Sequence, residues 1–157
     1  MKKYFLETYG CQMNKAESDS LELILKRRGW ESCDVDSEAD LVIINTCSVR
    51  QTAEDRIWGR IGYFKKLKES SDFKLVIIGC MAERAGEELI REHGVQFVAG
   101  PDSYLDLPNL LAQCEMGSTA INVELSTTET YKEIMPARLG KAISGFVSIM
   151  RGCNNFC

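Results

Sequence analysis

The chain has 157 residues, 45% of them hydrophobic and 27% charged, with a formal net charge of −4. That size and balance suit one compact domain with a substantial core, and they exclude a polyanion-binding surface built from bulk charge. The opening MKKYFLETYG lacks the apolar stretch of a secretory signal, and no apolar run approaches the roughly 20 residues of a membrane span, so a cytosolic protein is expected.

Short β-rich runs alternate with amphipathic stretches, which predicts an α/β fold with a mainly parallel, Rossmann- or flavodoxin-like sheet and helices on both faces. KYFLETYG (3–10) reads as the first strand. Asn14 and Glu17 form a possible capping box opening a helix with Leu21, Ile24 and Leu25 inward, ended by Gly29. ESCDV (31–35) is a weak strand, and DLVIINT (40–46) has the continuous apolar character of a buried parallel strand. Ser48 with Gln51 can cap a helix whose stripe is Ala53, Ile57, Ile61, Phe64 and Leu67. FKLVIIG (73–79) is another buried strand. A helix is expected from about Ala82 to Gly94, with Ala85, Leu89 and Ile90 inward. VQFVAG (95–100), a helix with Leu107, Leu110, Leu111 and Cys114 on one face and Gly117 at its end, and an edge strand TAINV (119–123) complete a first domain, residues 1–123. Residues 124–142 have no sustained period and read as a linker, and ISGFVSIM (143–150) opens a further segment, 143–157, as a new strand. Residues 124–157 carry four Lys or Arg and three Asp or Glu, which leaves the first 123 residues at −5.

Seven cysteines, an odd number in a chain without a secretion signal, argue against a disulfide framework and for metal binding or reactivity. Three of them repeat one arrangement. LETYGC (6–11), VIINTC (42–47) and LVIIGC (75–80) each run a strand into a cysteine and then a helix. Cys11, Cys47 and Cys80 therefore fall at the carboxyl ends of three strands, the edge where open parallel sheets bind ligands. Thiolates, not thiols, ligate metals, and the positive end of a helix macrodipole favours the anion. Gly10 and Gly79 precede two of the three and allow a tight turn or the close approach of a bulky inorganic group.

Three thiolates suit a [4Fe–4S] cluster with one iron left open. A zinc ion with a fourth ligand from elsewhere is the alternative, although zinc sites more often show close C-x-x-C pairs. A third possibility is three packing cysteines inside a flavodoxin-like binding module. The absence of G-x-G-x-x-G and G-x-x-x-x-G-K-[ST] counts against dinucleotide and P-loop binding. Cys33, Cys114, Trp30 and Trp58 read as packing residues, and His93, the single histidine, reads as an ordinary helix C-terminal residue before Gly94. With one histidine, most histidine-base and zinc-hydrolase schemes are excluded.

The last residues, RGCNNFC, place Cys153 and Cys157 four apart after an apolar strand. This resembles the start of the radical S-adenosylmethionine motif C-x-x-x-C-x-x-C, whose third cysteine would fall three residues past Cys157. Together with TYGCQMN (8–14), INTCSVR (44–50), GCMAE (79–83), GPDS (100–103) and FVSIMRGCNNFC (146–157), it makes the chain similar to the radical S-adenosylmethionine methylthiotransferase family. The resemblance spans the chain from end to end.

It implies an amino-terminal methylthiotransferase domain in which Cys11, Cys47 and Cys80 ligate an auxiliary [4Fe–4S] cluster. It also implies that Cys153 and Cys157 are two of three ligands of the radical S-adenosylmethionine [4Fe–4S] cluster, at the start of a truncated barrel. Gln12 and Met13, with SVR and SIMRGCN, resemble the branch acting on isopentenylated adenosine in tRNA rather than those acting on threonylcarbamoyladenosine or a ribosomal-protein aspartate. The resemblance further implies two [4Fe–4S] clusters, S-adenosylmethionine, tRNA, and sulfur and electron donors as cofactors and partners. It makes this chain the amino-terminal portion of the enzyme, inactive by itself.

Overall fold

The computed structural model of the protein describes residues 1–48, 51–100, 103, 107–116 and 120–122. Its strands are β1 (Lys3–Thr8), β2 (Glu31–Ser32), β3 (Leu41–Thr46), β4 (Lys74–Gly79), β5 (Phe97–Ala99) and β6 (Ala120–Asn122). Its α-helices are α1 (Gln12–Arg27), α2 (Gln51–Leu67), α3 (Cys80–His93) and α4 (Leu107–Glu115), and one 3₁₀ turn covers Asp36–Glu38. Among the described residues six strands form one sheet in the order β2-β1-β3-β4-β5-β6, with all five pairings parallel. The first five places repeat the flavodoxin-like order, in which the chain reverses direction across the sheet between β1 and β3.

The apolar runs sit in the middle of this sheet because each face is covered. Alternation along the strands splits the core in two. Leu41, Ile43, Val76 and Ile78 pack with Leu21 and Leu25 of α1 and Leu110 and Leu111 of α4 on one face. Val42, Ile44, Leu75 and Ile77 pack with Ile57, Ile61 and Phe64 of α2 and Met81, Ala82 and Leu89 of α3 on the other. All six β3 residues are buried, as a central parallel strand requires. The expected α2 stripe is there: Ile57, Ile61 and Phe64 are fully buried, with Ala53 and Leu67 at its margins. Cys33 and Trp58 pack at the edge of the core, as expected.

Several boundaries move. β1 ends at Thr8, two residues early, because Gly10 takes φ +128 and turns the chain. Helix α1 begins at Gln12 with Cys11 as its N-cap, so Asn14 is the third helical residue and not the cap. Its side chain reaches back to the Cys11 N–H at 3.2 Å, reversing the expected pairing with Glu17. Helix α3 begins at Cys80, two residues before the expected start, because Gly79 at φ +97 caps it directly, and it breaks locally at Ala85. Gly94, in the left-handed region at φ +66, ends it as expected. The expected Ser48–Gln51 cap, the Leu107 and Cys114 side chains, the linker 124–142 and the segment 143–157 lie outside the described residues. Among the described residues no helix is long and apolar enough to cross a membrane.

Candidate metal centre

Parallel pairing sets the three cysteines on adjacent strands. Thr8 is in register with Asn45, and Thr46 with Gly79. Cys11, Cys47 and Cys80 thus follow the carboxyl ends of β1, β3 and β4, three neighbours in the sheet. Cys11 and Cys47 flank the β1/β3 reversal, the place where open α/β sheets form their ligand crevice. Cys11 is the N-cap of α1 and Cys80 the first residue of α3, so both stand at helix amino termini. Cys47 is buried, at 5% exposure, whereas Cys11 and Cys80 are exposed, and none of the three is in a disulfide.

The two glycines bring these turns together. A Cβ on Gly10 would lie 2.6 Å from Cys47 Cβ and also strike the Asn14 side chain. A Cβ on Gly79 would strike the Thr46 carbonyl and lie 2.9 Å from Asn45 Oδ1. The turn before Cys11 therefore presses on Cys47, and the turn before Cys80 presses on the residue preceding Cys47. Both positions also have positive φ, which only glycine adopts without strain. The close approach is to the neighbouring turn, a refinement of the expectation that these glycines make room for a ligand.

Under the cysteines lies a polar layer that the sequence pattern does not announce. Asn45 and Thr46 are completely buried, and Asn14 and Ser18 nearly so. Asn14 Nδ2 donates to Asn45 Oδ1 and to the Thr46 carbonyl, both at 3.0 Å. Asn45 Nδ2 donates to the Asn14 carbonyl at 2.9 Å and to Ser18 Oγ at 3.0 Å. Thr8 Oγ1 and Ser18 Oγ share a 2.7 Å bond, and Thr46 Oγ1 donates to the Ile78 carbonyl at 2.6 Å. Buried polar groups are tolerated when paired in this way. The one sequence signal for this layer is the polar pair Asn45-Thr46 closing an otherwise apolar strand.

A cleft of about 820 Å³ opens beside Cys11 and Cys47, with Thr8, Tyr9, Gly10, Thr52, Ala53 and Arg56 as its other walls. Tyr9 Oη donates to Glu7 Oε2 at 2.9 Å, and burial together with that carboxylate pushes the phenol up to about 12. Arg60 holds Glu7 in turn and reaches Asp36 Oδ2 at 3.3 Å; its guanidinium is raised further, chiefly by the bond to Glu7. Tyr9, the one member of this group that lines the cleft, is thus held from behind by an internally paired cluster. Away from the edge, Cys33 donates to the Tyr4 carbonyl at 3.3 Å, and burial raises its thiol.

The spacing of the donors bears on the choice of metal. A single tetrahedral zinc with Zn–S near 2.3 Å would draw its sulfurs to roughly 3.8 Å from one another. Among the described residues, the His, Cys, Asp or Glu group whose ligand atoms all lie within 4.8 Å is Glu88, Glu92 and His93, and the three cysteines do not form one. Glu88 and Glu92 are exposed on α3 and Glu92 pairs with Arg91, an ordinary solvated surface. Three thiols spread over one sheet edge suit a polynuclear cluster better than one ion, and the cleft opens beside two of them, Cys11 and Cys47. Cys153 and Cys157 lie outside the described residues.

The model of the uncharacterized protein family UPF0004 matches residues 3–100. The chain belongs to this family. The UPF0004 match contains Cys11, Cys47 and Cys80 and ends before Cys153 and Cys157. The chain is 55% identical, over 99% of its length, to the tRNA-2-methylthio-N(6)-dimethylallyladenosine synthase of Porphyromonas gingivalis. It is 56% identical to the protein of that name from Parabacteroides distasonis and 51% identical to the one from Bacteroides fragilis, again over 99% of the chain. It spans 35% of the length of each of these curated relatives.

Proposed function

We propose that this chain is the amino-terminal portion of a radical S-adenosylmethionine tRNA methylthiotransferase working in the cytosol. Residues 1–123 form its cluster domain, 124–142 a linker and 143–157 the start of the radical barrel. The substrate is N(6)-dimethylallyladenosine next to the anticodon of tRNA, and the product is its 2-methylthio derivative. Cys11, Cys47 and Cys80 would hold an auxiliary [4Fe–4S] cluster, and Cys153 and Cys157 two of the three ligands of a second one that binds S-adenosylmethionine. A sulfur donor and an electron donor complete the set of partners.

The observation that carries this reading is the juxtaposition of Cys11, Cys47 and Cys80 at the ends of three adjacent strands in a chain 55% identical to a synthase of that name. A [4Fe–4S] cluster held by three cysteines has one iron without a protein ligand and there supplies a coordination site for transferable sulfur. The chain's own residues do the rest. Gly10 and Gly79 let the three turns close on one another. Cys47, buried, anchors the inner side, while Cys11 and Cys80 stand at the exposed rim. The paired Glu7 and Arg60 hold Tyr9 in its place in the cleft wall.

The test uses the full-length enzyme and nucleoside mass spectrometry of tRNA from cells that depend on it. Cys47→Ala should abolish the 2-methylthio nucleoside and leave the dimethylallyl precursor to accumulate. Normal 2-methylthio levels in that variant would contradict the reading. The 157-residue chain supplied alone should yield no product.

A further inference from the structure

The turns carrying Cys11 and Cys47 meet on one side chain. Asn14 Oδ1 accepts the Cys11 backbone N–H at 3.2 Å and lies 3.6 Å from Cys11 Sγ. Its Nδ2 carries two protons and spends them on Asn45 Oδ1 and the Thr46 carbonyl, each at 3.0 Å. The Thr46 carbonyl belongs to the planar peptide that leads into Cys47, so fixing that oxygen fixes the direction in which the chain enters Cys47. A helix cap needs only the first of these bonds. The amide nitrogen instead reaches across the β1/β3 junction to the other cysteine's strand.

We propose that Asn14 is a positioning residue that presets the spacing of Cys11 and Cys47 before metal is loaded. This inference rests on the cluster reading above. Three observations support it. Asn14 is 4% exposed, so water does not readily replace a lost partner. Its bonding capacity is used in both directions, and only an amide offers an acceptor and a two-proton donor together at that length. The Asn45 amide returns a bond to the Asn14 carbonyl, which locks the backbone as well as the side chain. Gly10 seals the arrangement, since a Cβ there would strike both Asn14 and Cys47.

Groups one layer behind metal ligands typically change metal affinity by about 10- to 100-fold when removed. The experiment reconstitutes the chain anaerobically with iron and sulfide, then measures iron retention against a chelator and the midpoint potential. Asn14→Asp keeps the acceptor and loses the donor, and Asn14→Ser adds no charge but is too short to span both turns. Both should release iron about 10- to 100-fold faster than wild type and shift the potential. Ile61→Val is the control: it removes one methyl from a fully buried side chain in the core of the other face and touches neither cysteine turn. It should lower the unfolding temperature and leave iron release and potential unchanged. Wild-type retention in either folded Asn14 variant, or equally fast loss in Ile61→Val, would overturn the positioning role. Cys47→Ala separates the two layers of argument. If that variant holds iron as wild type does, the cluster reading itself fails whatever Asn14 does.

Discussion

The two edges of this sheet are held by different means. At the amino edge the strand starts are tied by backbone bonds and surface charge: the Lys3 N–H donates to Asp40 Oδ2, the Lys74 N–H to the Asp40 carbonyl, and Lys3 Nζ pairs with Glu38 in solvent. At the carboxyl edge the strand ends are tied by the buried side chains of Asn14, Ser18, Asn45 and Thr46, by an exposed Thr8 bonded to Ser18, and by two glycines whose turns press on their neighbours. An apolar edge would have been simpler to fold. Buried polarity and closely pressed turns at the edge where the cysteines stand are what a site that must hold a fixed geometry requires.

That contrast can be broken by substitution. Gly79→Ala should have the largest effect, because the new methyl meets the Thr46 carbonyl and the residue must keep φ +97. Roughly 3 kcal/mol or more of stability should be lost, read by denaturant unfolding. Gly29→Ala, at φ +81 with nothing within 4 Å of the added carbon, should cost only about 1–2 kcal/mol. Equal losses at the two glycines would show that close approach at the carboxyl edge has no energetic weight.

The cysteines sharpen it further. In the metal-free protein, alkylation should be fast at Cys11 and Cys80, which are exposed. It should be slower at Cys33, whose thiol is raised by burial, and slower still at Cys47. Mass spectrometry of timed samples gives the order, and uniform rates at the four positions would contradict it.

Alkaline titration probes the two tyrosines of the β1 region. Burial raises both Tyr4 and Tyr9 above the usual phenol value, Tyr9 to about 12. In each case the folded state holds the proton more tightly than the unfolded state. The stabilisation is therefore complete below about pH 10 and falls as pH rises from there through the folded values. Tyr4 Oη is buried without a hydrogen-bond partner among the described residues. Tyr4→Phe should accordingly leave stability at pH 7 unchanged or slightly raised and flatten the loss above pH 10. The smallest effect is expected at the amino edge: Lys3→Ala breaks an exposed ion pair with Glu38 and should not measurably change the unfolding midpoint.

Much of this arrangement was legible in the sequence because it rests on periodicity. Continuous apolar runs gave the buried strands, the 3.6-residue stripe gave α2, and the repeated strand–cysteine–helix pattern put Cys11, Cys47 and Cys80 on one edge. The details that failed are those decided by contact. Asn14 as a cap was a local inference, whereas its amide is held by Asn45 and Thr46, 31 and 32 residues away. The starts of α1 and α3 shifted onto the cysteines because Gly10 and Gly79 turn more sharply than an alternating pattern can indicate. Arg56 and Thr52 in the cleft wall had no signal, since exposed polar residues on a helix look alike until the facing strand is known.

Cys11, Cys47 and Cys80 are proposed to hold one iron–sulfur cluster. The most direct measurement is iron and sulfide content with the visible spectrum after anaerobic reconstitution of the 157-residue chain, beside the three single Cys→Ala variants. Wild type should carry about four irons per chain with a broad visible absorbance, lost or sharply reduced in each variant. A correctly folded wild-type chain with no iron, or variants that bind as much iron as wild type, would contradict it.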